Sequence, residues 1–143
     1  MQPIKSINHL TFSVSNLERS ITFYKAVFGA KLLVKGERMA YFDLGGLWLA
    51  LNVQEDIPRR EIHESYTHVA FTVEEEDIDR LREKLEALNV PMFGRVRDEA
   101  REGKSLYFTD PDGHKFEFHT GNLQQRIECY KGEGKNYTFF IER

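Results

Sequence analysis

The stretch NHLTFSV at residues 8–14 recurs as THVAFTV at residues 67–73. In each copy a histidine, His9 or His68, stands at the start of an alternating apolar and polar pattern that is typical of a half-buried β-strand. The residues that follow the two strands repeat as well, and this repetition predicts the fold. It also raises the question of why one chain carries the same histidine twice.

The first copy is followed by one helix signal and three strand signals. Asn16 and Gly29 are favourable caps for the start and end of a helix. The apolar positions between them recur at helical spacing and are Leu17, Ile21, Tyr24 and Phe28. The strand candidates are AKLLVK, MAYFDLG and GLWLALNV, and the glycine pair at residues 45–46 predicts the tight turn between the last two.

The second copy is followed by the same order of elements. The acidic residues 74–77 favour a helix start. The apolar positions of that helix are Ile78, Leu81, Leu85 and Leu88. VPMFGRV, KSLYFTD and GHKFEFH are the next strand candidates, with DPDG at residues 110–113 as the turn before the last. Each half therefore predicts a βαβββ unit, and the fold class is α+β.

A chain of 143 residues fits a single domain. We expect one βαβββ unit over about residues 4–53 and a polar, proline-containing linker over about 54–65. A second unit over about residues 66–120 precedes a helix capped by Asn122 and an apolar tail, over about 121–143.

Composition disfavours several classes of partner. The formal net charge of −3, with acids and bases interspersed, offers no concentrated basic surface for nucleic acid. The apolar stretches are far shorter than the roughly 20 residues that span a bilayer, and the N-terminus lacks the apolar core of a signal peptide. We therefore expect a cytoplasmic protein without a membrane partner. The single cysteine, Cys129, agrees with a reducing compartment and is interpreted as a packing or surface thiol.

The duplication also matches individual positions in the two halves. His9 matches His68, and aligning the glycines of the last turns matches Ala50 with Glu117. Two repeated units bring matched positions together across a pseudo-twofold axis. His9, His68 and Glu117 would then form a two-histidine, one-carboxylate set that suits Mn²⁺, Fe²⁺, Ni²⁺ or Zn²⁺ and leaves positions open for substrate.

A packing role is the alternative for either histidine taken alone, because a strand histidine is more often a hydrogen-bonded core residue than a ligand. The match between the two copies favours the metal, and so does the inward-facing carboxylate, since burying Glu117 unpaired would be costly. The other histidines are weaker candidates and are His63, His114 and His119.

These motifs resemble a known family over nearly the whole chain. INHL, AYFDL, GLWLALN, IPR, SYTHVAF and SLYFTDPDGHKFEFHTG occur in the order found in the vicinal oxygen chelate superfamily. Within it, the chain is most similar to the fosfomycin-resistance proteins of the bacillithiol-dependent thiol transferase type. The resemblance implies a divalent metal on His9, His68 and Glu117, most readily Mn²⁺ or Mg²⁺, with Zn²⁺ or Ni²⁺ as alternatives. It also implies a homodimer in which His9 of one subunit joins His68 and Glu117 of the other.

The resemblance further implies the reaction, which is the addition of bacillithiol, or alternatively L-cysteine, to the epoxide of fosfomycin. Fosfomycin carries a phosphonate, so its enzyme must neutralise an anion and polarise the epoxide oxygen. The phosphonate contacts implied by similarity are Tyr66, Ser105, Tyr107, Arg126 and one loop arginine, with Arg97 as first choice and Arg95 or Arg101 as alternatives. Trp48 would flank the epoxide or simply pack in the core.

Thr11 points to the same face of its strand as His9, so the resemblance gives its hydroxyl a place near the attacked carbon, with Tyr107 as the second catalytic candidate. Some bacillithiol-using relatives have cysteine here, whereas threonine resembles the glutathione-using branch. Two other functions stay open. An epoxide hydrolase would need a glutamate base where this chain has Met39, although Glu37 could serve if the register slips. A non-catalytic small-molecule binder of the same fold would need no metal.

Overall fold

The computed structural model describes residues 2–94, 98–134 and 136–140. In these residues the strands are β1 (His9–Val14), β2 (Lys31–Lys35), β3 (Met39–Leu44), β4 (Leu47–Val53), β5 (His68–Thr72), β6 (Met92–Phe93), β7 (Ser105–Thr109) and β8 (Lys115–His119). The helices are α1 (Leu17–Phe28), α2 (Arg60–Glu64), α3 (Ile78–Ala87), α4 (Glu99–Glu102) and α5 (Leu123–Gly132). A 3₁₀ turn at Glu75–Asp77 directly precedes α3.

The strands form two four-stranded sheets with matching topology. Their orders are β1-β4-β3-β2 and β5-β8-β7-β6, so in each sheet the first strand of the repeat lies beside the last. β1 runs parallel to β4, while β3 runs antiparallel to both of its neighbours. The predicted α+β fold of two βαβββ repeats is confirmed. Pairing of these repeats between chains stays a prediction.

The chain divides into two compact units, and the first consists of the residues up to His68 together with Thr109–Lys115. One face of its sheet packs on α1, which contacts β2, β3 and β4. Both predicted caps of α1 are present, because Asn16 accepts a hydrogen bond from the Arg19 N–H and Gly29 has a left-handed φ of 65°. The fully buried side chains of this core include Tyr24, Phe42, Leu49 and Leu51.

The second unit consists of Val69–Phe108 and Phe116–Arg143, and its core is largely aromatic. Phe108 contacts Phe116 and Phe118 with ring centroids 5.8 and 4.8 Å apart. Ile78 and Leu85 of α3 are buried as predicted. Leu88 was expected in the same stripe but is 44% exposed, because α3 ends at Ala87 and Leu88 is its C-terminal cap.

The DPDG turn of the first unit holds a buried, hydrogen-bonded carboxylate. Asp110 is 3% exposed and accepts hydrogen bonds from the Tyr24 hydroxyl at 2.7 Å and the His114 N–H at 2.8 Å. Burial raises the pKa of Asp110 above its ordinary value, although the hydrogen bonds oppose the shift. Burial also raises the pKa of Tyr24 well above 10.0, with the Asp110 charge as the next cause.

Two segments show detail that the sequence did not predict. The linker contains a short helix, α2, at residues 60–64, and the preceding Arg59 donates to Ser13 O at 3.1 Å and Gln54 O at 2.6 Å. The bond to Ser13 spans 46 residues, so it leaves no local pattern in the sequence. Among the described residues 90–94 of VPMFGRV, the strand is Met92–Phe93, and residues 95–97 lie outside the described part.

The C-terminal segment follows its prediction in part. Asn122 caps α5 by accepting from the Gln125 N–H at 2.9 Å, and Cys129 is a buried thiol, 4% exposed. In the tail, the Tyr137 ring stacks on Tyr130 at 4.6 Å. Across the described ranges, we find no helix with the length and apolarity that a membrane crossing requires.

Candidate metal and substrate site

One face of each sheet carries the residues that the sequence singles out. In the first sheet, His9 lies beside Trp48 and Thr11 beside Ala50, so all four side chains share a face. His9 and Thr11 are exposed, whereas Ala50 is only 2% exposed. Tyr41, which the sequence analysis missed, is the antiparallel neighbour of Ala50 and belongs to the same face.

His9 is held by contacts on two sides. Its Nδ1 lies 2.7 Å from Asn8 Oδ1, and an amide oxygen can only accept, so the ring proton is on Nδ1 and the lone pair on Nε2. The Trp48 ring lies 4.4 Å from the imidazole between centroids, and Tyr41 meets Trp48 edge-on at 5.2 Å. This tautomer is the form in which Nε2 can bind a metal.

His68 has the same tautomer by a different contact. Its Nδ1 lies 2.8 Å from the backbone oxygen of Tyr66, and this carbonyl can only accept. The Tyr66 ring is 56% exposed, and its centroid is 4.8 Å from the imidazole. Both matched histidines therefore have Nδ1 bound to an oxygen and the lone pair on Nε2, although the oxygens are a side-chain amide and a backbone carbonyl.

Glu117 is the buried carboxylate of the second sheet, at 5% exposed. Its Oε2 accepts a hydrogen bond from the Ser105 hydroxyl at 2.5 Å. Ser105, predicted to contact phosphonate, is thus bonded to the proposed metal ligand in this structure. His119, which the sequence analysis ranked low, lies with its Nδ1 2.7 Å from Ser105 Oγ. The signal for His119 was available, because it is two residues from Glu117 and so faces the same way.

The remaining substrate candidates lie in the second unit. Tyr107 is 6% exposed, with its ring 5.4 Å from that of Phe93. Arg126, on α5, has its Nε buried and 4.0 Å from the Glu102 carboxylate, and this Nε has no hydrogen-bond acceptor among the described residues. Arg101 donates to the carbonyl of Cys129 at 2.7 Å, so it ties α4 to α5. Arg95 and Arg97 lie outside the described residues.

The donor set fits a divalent metal in its chemistry. Two imidazoles with Nδ1 protonated and a carboxylate fixed by a hydroxyl are ligands in the form that metal binding requires. Within residues 2–94, 98–134 and 136–140, no three His, Cys, Asp or Glu side chains lie together as a metal cluster. The joint binding of a metal by His9, His68 and Glu117 therefore stays a prediction.

Known proteins are similar to this chain in sequence and in fold. The family model for the glyoxalase/bleomycin resistance protein/dioxygenase superfamily matches residues 6–118. The chain belongs to this superfamily. Two relatives within the superfamily are named metallothiol transferase FosB. The protein from Lysinibacillus sphaericus is 62% identical over 96% of this chain and 97% of its own. The one from Staphylococcus saprophyticus is 55% identical over 96% of this chain and 91% of its own.

Solved structures of the superfamily agree with the fold. A mutant of the fosfomycin resistance protein FosX from Listeria monocytogenes is 32% identical, with a TM-score of 0.78 over 89% of this chain and 98% of that chain. That protein was complexed with Mn(II) and 1S,2S-dihydroxypropylphosphonic acid. The resemblance to fosfomycin-resistance metallothiol transferases drawn from the sequence is confirmed.

Proposed function

We propose that the protein is a divalent-metal-dependent thiol transferase that opens the epoxide of fosfomycin by adding a low-molecular-weight thiol, and so confers resistance. The observation that carries the proposal is the pair of matched histidines, each with its Nδ1 held by an oxygen, together with the buried Glu117. The relatives named metallothiol transferase support it, because their similarity extends over 96% of the chain.

His9, His68 and Glu117 would hold the metal, with Mn²⁺ or Mg²⁺ favoured. The metal would act as a Lewis acid toward the epoxide and as a counter-charge for the phosphonate. The chain prepares this site in two ways. Hydrogen bonds from Nδ1 to oxygen keep the imidazoles in one tautomer and orientation, and the Ser105 hydroxyl fixes the carboxylate.

Other side chains would position the substrate. The Arg126 guanidinium, with an Nε that has no acceptor in the described residues, can donate to a phosphonate oxygen. Trp48 lies beside His9 and would cover one side of a small epoxide, which limits the approach of water. Thr11 is exposed on the same face as His9 and would contact the substrate near the attacked carbon. Bacillithiol is the favoured thiol, with L-cysteine as the alternative.

Hydrolysis of the same epoxide is the second candidate, and one observation favours it. The diol phosphonate bound by the FosX relative is the kind of product that water forms from an epoxypropylphosphonate. In this chain, however, the position that the hydrolase branch fills with a glutamate holds Met39. Met39 pairs with Asn52 on the face of the first sheet that carries His9 and Thr11. A thioether cannot take a proton from water, so we favour thiol addition.

A product assay tests the proposal directly. Purified protein, Mn²⁺ and fosfomycin are mixed with bacillithiol, L-cysteine, glutathione or no thiol, and the products are identified by mass. We expect the bacillithiol adduct to form fastest and no product without metal. Diol formation at the same rate with and without thiol would assign the chain to hydrolysis, and the absence of any product would leave the binding function.

The proposal includes assembly and location. We infer a homodimer in which His9 of one subunit is joined by His68 and Glu117 of the partner subunit. We also infer that the protein is cytoplasmic, because small thiols are abundant in the cytoplasm. The dimer is supported by the face of the first sheet that carries His9 and Trp48. Trp48 is 39% exposed there, and an exposed aromatic side chain favours a partner surface.

A further inference from the structure

The imidazole of His119 lies beside the Glu117 carboxylate in the second unit. Its Nδ1 is 3.3 Å from Glu117 Oε2 and 2.7 Å from Ser105 Oγ. The His119 side chain is 16% exposed and that of Glu117 is 7% exposed, so all of these contacts are largely shielded from water. Residues of two strands, β7 and β8, thus meet in one polar cluster.

The direction of each hydrogen bond follows from distance and donor count. The 2.5 Å contact between Ser105 Oγ and Glu117 Oε2 is typical of a hydroxyl that donates to an ionised carboxylate. A hydroxyl has one proton, so Ser105 can only accept from His119, whose Nδ1 must carry the ring proton. The chain of donors therefore runs from His119 through Ser105 to Glu117.

The backbone after β8 limits the position of the His119 ring on its other side. A Cβ placed on Gly121 would lie 2.7 Å from His119 Nε2 and 2.9 Å from the carbonyl oxygen of Glu102. Contacts this short would force the ring or the backbone to move. The absence of a side chain at Gly121 therefore leaves the space that the His119 ring occupies.

We propose that His119 is a positioning residue that acts through the Ser105 hydroxyl to hold Glu117 in its metal-binding orientation. The proposal rests on the proposed function, since it takes Glu117 as a metal ligand. Hydrogen-bonded partners behind a ligand orient it and strengthen its binding, and their loss costs about 10- to 100-fold in metal affinity.

The test measures Mn²⁺ affinity from the electron paramagnetic resonance signal of free Mn²⁺, without fosfomycin or thiol. His119→Leu and Ser105→Ala should each weaken binding by about tenfold or more, because both break the donor chain. His119→Asn places an amide N–H near the position of Nδ1 and should restore affinity to within about threefold of the wild type. His63→Leu removes an exposed imidazole outside the cluster and should leave the Mn²⁺ affinity unchanged.

Each outcome separates this proposal from the metal assignment itself. Wild-type affinity in His119→Leu would overturn the positioning role and leave Glu117 as a ligand. Equal weakening in His119→Leu and His119→Asn would also overturn it, because the N–H would then not be what matters. If Glu117→Ala binds Mn²⁺ as tightly as the wild type, the proposed function fails. Thermal unfolding is measured on every variant, and Ser105→Ala decides the question if His119→Leu does not fold.

Discussion

The two sheets follow one plan but carry different chemistry at matched positions. In the first sheet β4 places Ala50 beside Thr11, on the face that also carries the exposed ring of Trp48. In the second sheet the matching position is Glu117, hydrogen-bonded to Ser105. Ala50 is 2% exposed and Glu117 is 5% exposed, so the two positions differ in polarity and not in depth.

This difference shows how a duplicated fold can acquire an asymmetric site. The matched histidines have the same tautomer, although it is set by a side-chain amide for His9 and by a backbone carbonyl for His68. In the proposed metal site, a carboxylate at both matched positions would supply four protein ligands, whereas alanine at residue 50 would leave a position for substrate. Under the proposed function, the difference between Ala50 and Glu117 would set the number of protein ligands on the metal.

Glu117→Ala makes the second sheet match the first, and we expect it to have the largest effect. Removing one of three protein ligands should abolish metal-dependent turnover, a larger loss than the roughly 10- to 100-fold that follows removal of an outer partner. Adduct formation and Mn²⁺ binding are measured together. Glu117→Gln tests charge alone, because the amide oxygen can still accept from Ser105.

The control for this prediction is Glu86→Ala, which removes an exposed carboxylate on α3 and should leave turnover intact. Unchanged thermal unfolding in Glu117→Ala would show that the loss concerns the site and not the fold. Full activity in Glu117→Ala would mean that the difference between the sheets has no catalytic role.

Arg126→Ala tests whether the second unit also supplies the phosphonate contact. A charge-assisted hydrogen bond contributes about 1.5–3 kcal/mol, so its loss should raise the KM for fosfomycin by roughly tenfold or more. The kcat should change little, because the contact is present in both the ground state and the transition state. Arg80→Ala, which breaks only an exposed ion pair with Asp77, is the matched control. An unchanged KM would reassign Arg126 to holding Glu102.

Asp110→Asn contrasts a structural carboxylate with a functional one, and its effect should be confined to stability. Burial raises the pKa of Asp110 in the folded chain, so the unfolded chain releases this proton first as the pH rises. The contribution of Asp110 to stability is therefore greatest below its unfolded pKa and is lost as the pH passes through the folded pKa. Asparagine does not titrate, so the destabilisation caused by Asp110→Asn should shrink as the pH rises.

Urea unfolding from pH 4 to pH 7 measures this trend as the difference in free energy of unfolding between the variant and the wild type. A difference that grows with pH would mean that Asp110 is better stabilised as a charge than its burial suggests. The KM for fosfomycin should be the same in both proteins, because Asp110 contacts Tyr24 and backbone groups of its own turn.

Local signals predicted the fold well. The Asn16 side chain accepts a hydrogen bond from a backbone N–H at the start of α1, and Gly29 adopts the left-handed conformation that ends the helix. Both effects are local, so the sequence alone predicts them. The alternation of apolar and polar residues in β1 and β8 predicted which side chains share a face, including those of His9 and Glu117. By contrast, α2 was missed, because the neighbouring Arg59 is held in part by the backbone oxygen of Ser13, which is far away in the sequence.

The site was predictable only as far as the repeat extends. The repeat selected His9, His68 and Glu117, but it could not show which side chain faces Glu117 across the sheet. Ser105 was expected to contact substrate because the family resemblance implied it. Its contact with Glu117 depends on the adjacency of β7 and β8, a tertiary property that the sequence does not state locally. His119 was ranked low because it lies nearer the end of its strand, although its two-residue spacing from Glu117 was visible.

Subunit complementation tests the central claim that matched strands of two chains complete one metal site for thiol addition. His9→Ala and Glu117→Ala proteins are mixed, chain exchange is confirmed by mass, and the fosfomycin–thiol adduct is measured. Each mixed dimer then has one site with both defects and one with neither, so random exchange should restore about a quarter of wild-type activity. Complete exchange without any adduct would contradict the account and place all three ligands in one chain.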